Sequence, residues 1–204
     1  MTDSMYTDDK FIYSLHMEMS QRLKPHRFIH SAAVAGTASA LAMKYGEDCS
    51  KALVAGILHD CAKCYNDDEL VSLCRKKNIP VTEFEEGHGF ILHAKYGAYL
   101  AKSKYGIKDE DILSAIRWHT TGHEDMTLLE KIIFVADYIE PLRNKASNLN
   151  EVRKTAFNAE SIDEAVVIIM HDTIKYLKER GREIDAVTNS AYEFYNAKTG
   201  KFDE

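Results

Sequence analysis

The apolar residues of this chain recur at helical spacing almost from end to end, and no segment alternates strictly enough to make a half-buried strand. Phe11, Ile12, Leu15, Met19 and Leu23 form a first stripe, punctuated by Pro25. A second helix is expected from about His26 to Tyr45, with Gly46 as its stop, and a third opens on Asp48 and ends near His59-Asp60-Cys61-Ala62-Lys63. Asp67 or Asp68 starts a short helix closed before Pro80, and a loop with Gly87 and Gly89 leads to a helix over about 90–104. Asp109 opens the next, where Ile112, Ala115, Ile116 and His119 share one face, until Thr120-Thr121-Gly122 breaks it. Thr127 caps a helix carrying Ile132, Ile133, Ala136 and Asp137, stopped by Pro141. Ser161 and Glu164 spell a capping box for a long helix that ends at Gly181, and a last helix covers about Asp185 to Asn196. No repeat, linker or low-complexity tract divides the chain, so the expectation is one all-α domain over 1–204.

Composition narrows the function classes. With 204 residues and 45% hydrophobic content there is ample core for independent folding, and no apolar run approaches the roughly 18–20 residues that span a bilayer. The stretch from Met1 to Lys10 is polar and acidic rather than a secretory signal, so the expected setting is the cytoplasm, with no membrane partner. A net charge of −6 speaks against a nucleic-acid partner, which would require a basic face. Cys61 and Cys64 make a C-x-x-C pair, but no second pair at matching spacing completes a zinc knuckle, and reduced thiols are the expectation.

The chemistry sits in the histidines, of which there are nine. His59-Asp60 follows Ala55-Gly56-Ile57-Leu58, a small and apolar run that must be buried. A carboxylate buried there without a partner costs several kcal/mol, on the order of a full desolvation penalty, and a cation removes that cost. His30, His93, His119 and Asp137 also stand on helices whose neighbouring turns are apolar or small. Any one of them alone would ordinarily be a hydrogen-bonded core residue or a cap. Together, neutral imidazoles and carboxylates form the donor set that suits iron, manganese, cobalt, zinc or nickel. A second His-Asp dipeptide, His171-Asp172, is set aside: Ile162, Val166, Ile169, Thr173 and Leu177 define the buried stripe of its helix, which turns His171 towards water.

The order His…His-Asp…Asp resembles the HD superfamily of metal-dependent phosphohydrolases. His26-Arg27-Phe28-Ile29-His30-Ser31, Ala55-Gly56-Ile57-Leu58-His59-Asp60-Cys61-Ala62-Lys63, Trp118-His119-Thr120-Thr121-Gly122 and Ala136-Asp137-Tyr138-Ile139-Glu140-Pro141-x-Arg143 are similar to the YqeK family, over roughly residues 10 to 195. That family is described as symmetrical bis(5′-nucleosyl)-tetraphosphatases, which split diadenosine tetraphosphate into two ADP. The resemblance implies a helical HD-domain fold, with an HD core at about 26–145 and C-terminal helices at about 150–196 completing a nucleotide pocket. It implies that His30, His59, Asp60 and Asp137 bind a divalent metal, iron first, with manganese, cobalt, nickel or zinc as alternatives. Arg27, Lys63, His93, His119 and Arg143, with Asp137, would face the nucleotide phosphates. Arg180, Gly181, Arg182, Glu183, Ile184 and Asp185 would line the nucleoside end. Asp60, Lys63, His93 and His119 are the expected catalytic groups.

The bottom-up chemistry agrees. Metal coordination can bring the pKa of water from about 15.7 towards about 7, and phosphoanhydride cleavage needs in-line positioning and charge cancellation more than covalent help. His93 and His119 could polarise phosphate oxygens, protonate a leaving group or hold a second metal, and the sequence leaves these open. The expected partner is a small nucleotide, diadenosine tetraphosphate with its ADP product, and a homodimer is allowed for. Two alternatives stay beside this reading: an HD-type nucleotidase or phosphodiesterase acting on another nucleotide, and a module that senses a metal-bound nucleotide without cutting it.

Overall fold

A computed structural model describes residues 5–144 and 146–202. Among these residues eleven α-helices and one 3-10 turn account for the regular structure, and no strand is present. The helices are α1 (Asp9–Arg22), α2 (Pro25–Tyr45), α3 (Cys49–Leu58), α4 (Asp67–Lys76), α5 (Glu83–Gly87), α6 (Leu92–Ser103), α7 (Glu110–Trp118), α8 (Leu128–Ile139), α9 (Leu149–Asn158), α10 (Asp163–Glu179) and α11 (Ala186–Thr199). None is long and apolar enough to cross a membrane.

Local chemistry explains most boundaries. Pro25 at the start of α2 has no N–H to orphan, and Gly46 ends the helix in the left-handed region at φ 78°. Asp48 caps α3 by accepting from Ser50 N and Lys51 N at 2.7 and 3.1 Å. Thr127 and Glu130 form a reciprocal capping box at the head of α8, and Asp109 caps α7. α8 ends at Glu140, which the following Pro141 holds in extended backbone at ψ 149°.

Several expectations are corrected. α4 starts at Asp67 as expected, and its cap is Asn66, reciprocated by Glu69. The segment read as a loop before residue 90 contains α5, headed by a Thr82–Glu85 capping box. A 3-10 turn over Gly89–Ile91 precedes α6, which starts at Leu92. The Ser161–Glu164 box does not form: Ser161 Oγ instead accepts from Asp163 N at 3.2 Å, and Ile162 stands at the cap. α9 falls in the expected C-terminal helical region but was not delimited by periodicity, because its buried stripe is only Leu149, Val152 and Ala156 on an otherwise polar segment.

α2 packs on α3 and α8, α7 lies between α6 and α8 and also touches α3, and α10 packs on α8, α9 and α11. Leu41, Ile57, Leu58, Ile112, Ile116 and Ile132 are fully buried in one continuous core. Each contributes about 1.5–3 kcal/mol of transfer free energy. Gly56 sets the closest helix crossing. A Cβ there would lie 2.6 Å from Ala35 Cα and 2.9 Å from Ala35 N, so only glycine lets α3 approach the α2 backbone this closely. That approach brings the end of α3, with His59 and Asp60, beside His30 of α2.

Candidate metal centre

Six polar side chains from five places in the chain converge where α2, α3, α6, α7 and α8 meet. His30 comes from α2, and His93 lies in the first turn of α6. His59 and Asp60 immediately follow α3, His119 follows α7, and Asp137 lies in the last turn of α8. His59 and Asp60 are 0% and 2% exposed, and His93 and His119 are equally buried. Among the described residues, every group of three donors close enough to hold one ion is drawn from these six residues.

Asp60 joins two groups, one with His30 and His59 and one with His93 and His119, while His59, His119 and Asp137 form a third that spans them. His30 Nε2 lies 2.9 Å from Asp137 Oδ1 and 3.3 Å from His59 Nε2. His59 Nε2 is in turn 3.7 Å from Asp60 Oδ2 and 3.8 Å from Asp137 Oδ1. On the other side, Asp60 Oδ1 is 3.4 Å from His93 Nε2 and 3.7 Å from His119 Nε2, and those two nitrogens are 3.1 Å apart. Asp60 therefore presents one oxygen to each of its two groups.

The outer nitrogens decide what these rings can bind. His59 Nδ1 is 2.8 Å from Gly56 O and His119 Nδ1 is 2.8 Å from Ile116 O. His93 Nδ1 sits against Phe90 O, and His30 Nδ1 is 3.1 Å from a carboxylate oxygen of Glu140. A carbonyl or carboxylate can only accept, so each Nδ1 carries the hydrogen and each Nε2 is left as a lone pair. Four lone pairs and the carboxylate oxygens of Asp60 and Asp137 then face one another inside the protein. The Thr120 hydroxyl, 3.2 Å from both His93 Nε2 and His119 Nε2, has one hydrogen for two nitrogens. Such an acceptor-rich, buried cluster favours a cation, and the donor set is compatible with a divalent metal.

The electrostatics point the same way. Burial pushes His59 down to about 4 and His93 well below its usual range, in the latter case with Lys63 adding to the effect. Both rings are thus kept as neutral ligands. Burial opposes ionisation of Asp60 and Asp137, but the neighbouring histidines outweigh it, and Arg143 adds to the effect at Asp137; both carboxyls are held below their usual range. His30 moves up despite its burial, because Asp137 and Glu140 flank it. A proton on its Nε2 would be shared with Asp137 Oδ1 at 2.9 Å, and a cation at the centre would take that proton's place.

Cationic side chains stand at the rim. Arg27 Nη1 donates to Asp60 Oδ2 at 3.1 Å, while Arg143 donates to Asp137 Oδ1 at 2.6 Å and, through Nε, to the Asp137 carbonyl at 3.0 Å. Both arginines, with His30 and Asp137, border a cavity of about 640 Å³. Lys63, expected to face phosphates, meets His93 from the Nδ1 side at 3.0 Å, and burial lowers its pKa. Of the expected nucleoside end, Arg180 borders a second cavity of about 680 Å³ together with Tyr138, Asn148 and Tyr176. Gly181 takes φ +60°, Arg182 and Glu183 are exposed, and Ile184 is half-buried. Asp185 is engaged as the cap of α11, accepting from Val187 N at 3.3 Å.

Three contributors were not singled out from the sequence. Glu140 orients His30, and its place one turn after Asp137 was the available signal. Thr120 adjoins His119. Arg153, on α9, donates to the carbonyls of Ile139, Glu140 and Arg143 at 2.9, 2.8 and 3.0 Å. It thereby satisfies the open end of α8 and fixes the segment that carries Arg143. No sequence signal marks Arg153 for that task.

His171-Asp172 is placed differently from expectation. The pair is half-buried rather than turned to water, with the His171 ring stacked on Phe202 at 4.0 Å between centroids and His171 Nδ1 donating to Asp172 Oδ1 at 2.8 Å. Asp172 also accepts from Asn148 Nδ2, and Asn148 Oδ1 accepts from the Tyr138 hydroxyl at 2.9 Å. The pair lies outside the cluster.

Residues 27–142 match the HD domain family. The chain is 39% identical over 167 residues to a Bacillus subtilis protein named bis(5′-nucleosyl)-tetraphosphatase, symmetrical, covering 81% of this chain and 87% of that one. A Halalkalibacterium halodurans protein of the same name is 41% identical over 170 residues, with 83% and 89% covered. A crystal structure from Clostridium acetobutylicum, described as a predicted HD superfamily hydrolase involved in NAD metabolism, superposes with a TM-score of 0.87 at 35% identity, covering 91% of this chain and 97% of the other.

Proposed function

The chain belongs to the HD domain family, and within it to the symmetrical bis(5′-nucleosyl)-tetraphosphatases; from that premise we propose that it hydrolyses diadenosine tetraphosphate into two ADP in the cytoplasm, using a divalent metal centre. The observation that carries the chemistry is the fixed set of inward lone pairs: four imidazoles each tied through Nδ1 to an oxygen, around two carboxylates. His30, His59, Asp60 and Asp137 hold the first ion, which we assign as iron. Asp60, through its other oxygen, with His93 and His119, has the composition to hold a second.

A divalent ion there supplies Lewis-acid charge on a phosphoryl oxygen and a water of lowered pKa. The chain's own residues do the rest. Arg27 and Arg143 already hydrogen-bond carboxylate oxygens of the centre. Their guanidiniums are therefore at the right depth to take phosphoryl oxygens of a bound tetraphosphate, where charge cancellation lowers the barrier. Glu140 and the carbonyls of Gly56, Phe90 and Ile116 keep the rings from turning. Lys63, behind His93, raises the cost of a proton on that ring and keeps it a ligand. The departing group is a nucleoside diphosphate, which needs its negative charge neutralised more than it needs a proton.

Cleavage here depends on positioning, so the cut should fall at one phosphorus. Product chromatography after turnover in heavy-oxygen water checks this. The expected outcome is ADP alone, with label on the terminal phosphate of half the molecules. AMP with ATP would mean that the centre addresses the neighbouring phosphorus, and the symmetrical reading would then be wrong.

A further inference from the structure

A symmetrical cut of a dinucleotide places a nucleoside diphosphate on each side of the reacting phosphorus, so a built site needs room for two nucleosides. The metal centre opens in two directions. Asp137 borders the cavity of about 640 Å³ beside Arg27 and Arg143, and it also borders a slot of about 80 Å³ with His119 and Thr120. The slot shares Tyr138 and Thr173 with the cavity of about 680 Å³ that reaches Arg180. Two chambers of nearly equal size thus flank Tyr138, each within the range of about 300–1,000 Å³ typical of small-molecule sites. Of the expected nucleoside end, Arg180 borders the second chamber, which on the dinucleotide reading takes the first nucleoside. The other has no occupant assigned.

We propose that the chamber walled by His26, Ile29, Leu142 and Leu149 is the subsite for the second nucleoside; this rests on the dinucleoside tetraphosphate reading. Its lining combines cationic and apolar side chains. Arg27 and Arg143 reach the centre through Asp60 and Asp137, where phosphates belong. Ile29, Leu142 and Leu149 supply apolar lining, and Ile29 and Leu142 are 51% and 57% exposed although both border the same cavity from different elements, α2 and the segment after α8. Single exposed apolar residues are ordinary; two facing one cavity that includes a phosphate site form a surface that a flat purine covers. Arg153 holds the backbone carbonyl of Arg143 in place, so the Leu142 wall is fixed before a ligand arrives.

The test uses a competitor that lacks both nucleosides. In I29A/L142A, with metal-loaded enzyme, the KM for diadenosine tetraphosphate should rise about tenfold, the loss of roughly one wall's worth of apolar contact. The inhibition constant of inorganic tetraphosphate should stay within about twofold, since it offers phosphates to Arg27 and Arg143 but no nucleoside to these walls. The conservative pair I29V/L142M should keep the parental KM. If both constants rise together, or neither moves, the subsite is elsewhere and the proposal is overturned. A parent enzyme that forms no ADP from diadenosine tetraphosphate fails differently: it defeats the function reading, and the chamber loses its assigned occupant.

Discussion

The chain contains the same dipeptide twice, and the two copies have opposite fates. In His59-Asp60 the ring's Nδ1–H is taken by Gly56 O, so Nε2 faces inward, and the two oxygens of Asp60 face different pairs of histidines. In His171-Asp172 the Nδ1–H is given to the neighbouring Asp172, whose other oxygen accepts from Asn148. The first pair directs its acceptors at further acceptors from other helices, an arrangement that a cation would complete. The second satisfies itself and uses what remains to hold a loop. What separates the two rings is the partner of the outer hydrogen, a backbone carbonyl at His59 and the adjacent aspartate at His171.

The comparison breaks most severely at the first pair. His59→Ala and Asp60→Ala should each abolish hydrolysis and tight metal binding, because losing either opens the coordination sphere around an uncompensated charge. Metal content and turnover on folded protein check this, and full activity with metal retained would remove both residues from the centre.

Glu140→Gln sharpens it. Glutamine keeps the size of the side chain but drops the charge that orients His30. Metal affinity should weaken by about 10–100-fold, with activity recovered at high metal concentration. A metal titration reads this directly, and an unchanged affinity would make Glu140 a structural residue only.

The smallest effect on chemistry is expected at the second pair. His171→Ala with Asp172→Ala should retain metal and keep kcat within about twofold of the parent, any loss falling on KM because Asp172 and Asn148 border the cavity of about 680 Å³. Stability should fall by about 1–2 kcal/mol, because the bonds that reach Asn148 and Tyr138 through Asp172 are lost. Thermal unfolding and metal analysis separate the two. Loss of metal from this variant would show that the dipeptides had been ranked in the wrong order.

Much of the fold was legible because helix signals are local. Asp48, Asp109 and Thr127 cap as read, and Gly46, Gly122 and Pro141 stop as read, since each acts on backbone within one turn. Failures came where the signal was thin or ambiguous. α9 buries only three side chains, and Ser161 found a nearer N–H than the one a capping box requires. The Thr82–Glu85 box ahead of α5 was readable in the sequence but sits before a helix of only five residues.

The sequence alone determined that the chain is helical and that His30, His59, Asp60, His93, His119 and Asp137 stand in or directly after helices, since apolar periodicity and a buried carboxylate's need for a cation are properties of neighbouring residues. Tertiary structure decided the rest. Only the packing of α3 on α2 across Gly56 places His59 Nε2 3.3 Å from His30 Nε2, and only the fold gives Asp60 one oxygen for each side. Glu140, Thr120 and Arg153 took their roles from that same assembly, and so did His171, whose helix face pointed outward until Phe202 covered it. A helical pattern fixes the direction of a side chain about its own axis. What that side chain meets depends on contacts between residues far apart in the chain, and no local pattern encodes them.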